Sequence, residues 1–254
     1  MAKRWALIFL FLAAIVLNIA DAALPAILHW GTQQLMLGPT ISCQAARKWP
    51  IFLTMASIFL TLDLLEAKLM GYKRSPPPFL SFVNSSSGLK KQSIKGINFA
   101  SGGAGIFYIT GQSMLKIQKN VIPLAEQIQQ FSTVQSSLMA TMGHAATEKF
   151  LSKSLVFISI GSNDIFGYYH SKSSLPKQDF MSALGLTYEN HLKGLLNLGA
   201  RKFGIISVPP IGRCPSQRIY NATGGCLEEL NDHARAFHAM LDSLLYKLSS
   251  AHTK

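Results

Sequence analysis

The stretch that most constrains what this chain can fold into is LVFISIGSNDIFGYY, residues 155–169, where an apolar run passes straight into Gly161, Ser162, Asn163 and Asp164. A buried strand that ends in small polar residues is where an open α/β sheet collects its chemistry. Gly161 permits a tight turn, and the Asn163 amide beyond it can point at an oxygen that gains negative charge in a transition state. The same residues can equally close a strand with Asx hydrogen bonds and do nothing more. Upstream, residues 96–106 read GINFASGGAGI, a second short apolar run that breaks into glycines.

Helical periodicity surrounds these strands. Leu124, Ile128, Phe131, Val134 and Leu138 recur at three- and four-residue spacing behind Pro123, a residue that favours a helix start. Leu230, Ala234, Phe237, Leu241, Leu245 and Leu248 form another stripe after Gly224 and Gly225. Both stripes are expected to face a core rather than a partner helix. Residues 181–198 read as a further helix, leading to a strand at 203–208. Such alternation implies an α/β domain with a mostly parallel sheet and helices on both faces. At 254 residues and 48% hydrophobic, the chain can bury one large core, and nothing divides it into two domains. The run Pro76, Pro77, Pro78 is expected to be a stiff surface connector.

A third block, KFGIISVPPIGRCP at residues 202–215, follows the first two in order. Together the three, from about Ala67 onward, resemble the plant-type GDSL esterase/lipases of the SGNH hydrolase superfamily. The resemblance implies a flavodoxin-like, mostly parallel sheet, here incomplete, and ester hydrolysis without a cofactor. It implies an oxyanion hole made by the N–H of Gly103, with Gly102 as the alternative, and by the side chain of Asn163. Gly161 and Asp164 complete the motif around them. The substrate would be a small-molecule or lipid ester.

Two blocks of that family are not found. No Gly-Asp-Ser occurs in the sequence, so the nucleophile is missing, and no Asp-x-x-His occurs to supply the general base and its orienting carboxylate. The family's first strand would correspond to residues 23–27, Ala-Leu-Pro-Ala-Ile. Beyond it, joining the third base of each codon to the first two of the next forces glycine at the Trp30/Gly31 junction. The same shift permits Asp and Ser next, and a run resembling the family's first block through Glu66. Residues of about 28–66 are therefore expected to be an out-of-frame translation of an active-site segment. Ser101, Ser162, His144, His170, His191, His233 and His238 occupy no recognisable nucleophile context. The chain as written is expected to be inert: either a secreted ester hydrolase by descent or a non-catalytic remnant that binds a ligand or sugar.

Residues 1–22, with Lys3 and Arg4 before an apolar run and Ala20, Asp21, Ala22 at its exit, read as a signal peptide of a secreted glycoprotein, the alternative being an uncleaved anchor. A single partial domain would then occupy residues 23–254. The apolar stretch 51–65 is interrupted by Asp63, and no stable membrane span is expected from it. The net charge of +12 is scattered, without a basic stripe interleaved with aromatics, so no nucleic-acid partner is expected. Weak attraction to acidic wall polymers or anionic surfaces is the consequence. Three cysteines are present. Cys214 and Cys226 flank a short loop and are expected to form a disulfide, the alternative being two thiols. No metal-ligand spacing occurs. Asn84 and Asn221 begin glycosylation sequons, of which Asn221, on the cysteine-bounded loop, is the better candidate.

Overall fold

A computed structural model describes residues 75–111 and 121–252, together with the backbone of residues 27–31. Four strands form one sheet among these residues: β1 Ile27–Gly31, β2 Ile97–Asn98, β3 Leu155–Ser159 and β4 Lys202–Ile206. Their order is β2-β1-β3-β4 and every pairing is parallel, four places of the flavodoxin-like order 2-1-3-4-5. Seven helices are described: α1 Ser86–Ser93, α2 Leu124–Met142, α3 His144–Lys153, α4 Ser162–His170, α5 Lys177–Asn197, the short α6 Pro215–Arg218, and α7 Glu228–His252. The expected α/β architecture is the observed one.

Helix α2 starts behind Pro123, whose fixed φ and missing N–H suit a helix entrance. It buries Leu124, Phe131, Val134 and Leu138 of the expected stripe, with Gln127 between them. The Gln127 amide donates to the Ile122 carbonyl at 2.8 Å, which makes its burial tolerable. Helix α7 buries Leu230, Ala234, Phe237, Leu241 and Leu248, and it packs on α5 and α4. Fully burying a side chain such as Phe237 contributes about 2–3 kcal/mol. Lys247 of α7 donates to both oxygens of Glu189 on α5 at 2.9 Å, and Lys193 lies 2.7 Å from the same carboxylate. These two ammonium groups hold the Glu189 carboxyl below its usual range.

Two expectations need correction, and a third falls partly outside the described residues. Of the expected first strand only Ile27 is described, and the described strand β1 covers Ile27–Gly31, between β2 and β3. Strand β4 closes at Ile206, ahead of Pro209 and Pro210. The expected bridge between Cys214 and Cys226 does not form. Cys226 is in a disulfide whose other half lies outside the described residues, while Cys214 carries a thiol that burial raises to about 11. The loop between them is closed by other bonds: the Arg218 guanidinium donates to the Gly224 carbonyl at 2.6 and 2.9 Å.

The expected signal peptide at residues 1–22, the apolar stretch 51–65 and residues 32–66 of the segment expected to be out of frame lie outside the described residues. Among the described residues no helix is long and apolar enough to cross a membrane.

Candidate active site

In a parallel sheet every strand delivers its C-terminal end to the same rim. The order places β1 between β2 and β3, so the loops that follow β2 and β3 flank the end of β1 at Gly31. Gly31 is opposite Ser159, two residues before Gly161. The two glycine-bearing blocks, 58 residues apart between Ala104 and Ser162 in the chain, thereby become neighbours.

Gly161 makes the turn out of β3. Its φ of +115° is a conformation that L side chains rarely adopt, and a Cβ there would lie 2.7 Å from the Phe237 ring. The turn starts α4, which puts Ser162, Asn163 and Asp164 in its first helical turn. Ser162 and Asp164 are buried, while Asn163 is half-buried. The Asn163 Nδ2 donates to the carbonyl of Ala104 at 2.8 Å. That contact sets the amide beside Gly103, which has a φ of +84° and is itself half-buried, whereas Gly102 is exposed.

Asp164 grips the same loop from that same turn of α4. Its carboxylate accepts from the Ile106 N–H at 2.8 Å, the Phe107 N–H at 3.0 Å and the Thr110 hydroxyl at 2.7 Å. Burial pushes the carboxyl up to about 6, although all three donors pull it the other way. From the opposite side, His191 of α5 meets the Ile106 carbonyl at 3.0 Å. A carbonyl only accepts, so Nε2 carries the hydrogen. Burial holds the His191 imidazole below its ordinary value, with the Ile106 bond opposing. Thr110 and His191 carried no signal in sequence reading. What could have flagged His191 is its place on the buried stripe of α5, three residues after the fully buried Tyr188 and next to the buried Leu192.

Ser101, His233, His170 and His144 have partners of their own. Ser101 Oγ accepts from the Ile122 N–H at 3.0 Å, and His233 Nδ1 donates to the Glu229 carbonyl at 2.7 Å. His170 Nε2 lies 2.7 Å from Gln217 Oε1, and His144 sits exposed beside Glu148. Among the described residues no serine hydroxyl is hydrogen-bonded to a histidine. Of the two sequon asparagines, Asn84 is exposed, whereas Asn221 is half-buried and donates to the Cys226 carbonyl at 3.2 Å.

Comparison with known proteins bears on the family. The family described as GDSL-like Lipase/Acylhydrolase matches residues 58–254. The chain belongs to that family. Among its relatives, the GDSL esterase/lipase At5g41890 of Arabidopsis thaliana is 32% identical over 198 residues, which are 75% of this chain and 52% of that protein. The GDSL esterase/lipase At5g55050 of Arabidopsis thaliana is 34% identical over 179 residues, 68% of this chain and 45% of the relative. The anther-specific proline-rich protein APG of Brassica napus is 31% identical over 189 residues, 72% of this chain and 41% of the relative. The chain thus spans about half the length of the curated relatives it matches. The GDSL match includes all three blocks, and its start at residue 58 falls inside the segment read as frame-shifted.

Proposed function

We propose that this chain derives from a secreted hydrolase of acyl or lipid esters, with Gly103 and Asn163 as the oxyanion-binding half of its site, and that the chain as written does not turn over. The observation that supports the reading is the bond from the Asn163 amide to the Ala104 carbonyl, which joins the loops that follow β2 and β3 beside the end of β1. In the reaction, a serine hydroxyl at that end attacks the ester carbonyl and a histidine takes its proton. The tetrahedral oxygen then receives the Gly103 N–H and an N–H of the Asn163 side chain. One such donor is worth about 2.7–4 kcal/mol of transition-state stabilisation, too little to replace a nucleophile.

Secretion is supported by the composition of residues 1–22, and inactivity by the missing Gly-Asp-Ser and Asp-x-x-His. The purified chain should leave p-nitrophenyl acetate at the buffer rate. Turnover abolished by a single serine-to-alanine change would overturn the reading. Sequencing the transcript tests the frame: nucleotides spanning residues 30–33 should encode Gly-Asp-Ser in the shifted frame.

A further inference from the structure

Four backbone groups of the glycine loop, on Ala104, Ile106 and Phe107, are held by three side chains from two helices. Asn163 takes the carbonyl of Ala104, Asp164 takes the N–H groups of Ile106 and Phe107, and His191 takes the carbonyl of Ile106. The peptide units on both sides of Ile106 are therefore fixed from opposite directions, by α4 and by α5. A buried carboxylate is costly to keep, and Asp164 makes no ion pair among the described residues. Its burial is offset mainly by the loop it grips.

We propose that Asp164 and His191 are positioning residues, which hold the Gly103 N–H in register with the Asn163 amide by clasping the Ile106 peptides between α4 and α5. The proposal rests on the oxyanion reading for its catalytic meaning, yet its geometry can be tested without any turnover. Asn163 and Asp164 are adjacent on one helical turn, so a loop tethered by Asp164 cannot shift relative to Asn163 unless that tether breaks. His191 closes the clasp from the side that Asp164 cannot reach. Other titratable groups near α4 are His170 at its end and His233 of α7, which lies against the rings of Tyr168 and Tyr169.

The test is a pH titration of the full chain by amide NMR, with three variants. In the wild type, the backbone amides of Gly103, Ile106 and Phe107 and the side-chain amide of Asn163 should shift with one shared midpoint near 6. Asp164→Asn should remove that midpoint from all four signals. His191→Gln, which keeps a donor for the Ile106 carbonyl, should leave the Gly103 and Asn163 signals as in the wild type. His191→Leu should move both and speed exchange of the Phe107 amide at least tenfold. A merely space-filling His191 would give the same result with Gln and with Leu, which overturns the proposal, as does a Gly103 signal that titrates independently of Ile106. If Asp164→Asn fails to fold, the wild-type titration and the His191 pair still decide. A chain that shows the shared midpoint but comes from an intact transcript without esterase activity loses the hydrolase reading and keeps the clasp. An active transcript product with independent titrations does the reverse.

Discussion

The two flanks of the sheet are built on opposite principles. Around Asn163 and Asp164, polar groups from distant parts of the chain meet and satisfy one another in a buried setting. On the far flank, β4 pairs with β3 alone among the described residues. Its side is open to a groove of about 490 Å³ walled by Leu192, Leu196, Phe203, Ile205, Leu245 and Leu248. The first region is specified by directional bonds and tolerates little change. The second is mainly apolar, with Arg201 and Ser249 also lining it, and is held by shape rather than by directional bonds. Directional precision is thus concentrated at the two strand-end blocks.

The sharpest way to break the comparison is to remove the carboxylate. Asp164→Ala strands the buried Ile106 N–H, the half-buried Phe107 N–H and the Thr110 hydroxyl, and should cost about 3–5 kcal/mol in denaturant unfolding. A loss under 1 kcal/mol would mean the clasp is no tighter than the groove. Next comes Gly161→Ala, expected to cost about 2–4 kcal/mol from its positive φ and its clash with Phe237. Adding Phe237→Leu should restore the packing share and leave the backbone share.

Acid sharpens the contrast through Asp164. Its folded value near 6 stands above the ordinary 3.8, so between those values the folded state binds the extra proton. Stability from this group is fully present below about pH 4 and declines as pH rises through 6, by up to about 3 kcal/mol. Asp164→Asn should flatten that segment of the stability profile. A profile that rises between pH 4 and 6 and is unchanged by the substitution would contradict the burial argument.

The smallest stability effect is expected at the other flank. Ile205→Lys on the edge strand should change stability by about 1–2 kcal/mol but markedly lower aggregation seen by light scattering. Unchanged scattering would show that the groove is not the adhesive face.

Much of the fold could be read from residue order. The stripes of α2 and α7 are local patterns, and a 3.6-residue period buries one face wherever the helix lands. The sheet's parallel character followed from alternation of strands and helices. The glycine and Asn-Asp blocks marked themselves because strand ends in such sheets carry chemistry. Less was legible where neighbours decide. The Cys214–Cys226 pairing looked natural from loop length, yet spacing says nothing about where a thiol points.

By itself, then, the sequence determined the family, the helical faces and the two blocks at strand ends, since each depends on residues close together in the chain. Only the tertiary structure decided that Asn163 reaches Ala104, that Asp164 and His191 grip Ile106 from opposite sides, and that β4 pairs with β3 alone among the described residues. The physical reason is that a hydrogen bond requires alignment within a few tenths of an ångström. That alignment is fixed by strand order and helix packing rather than by any local run of residues.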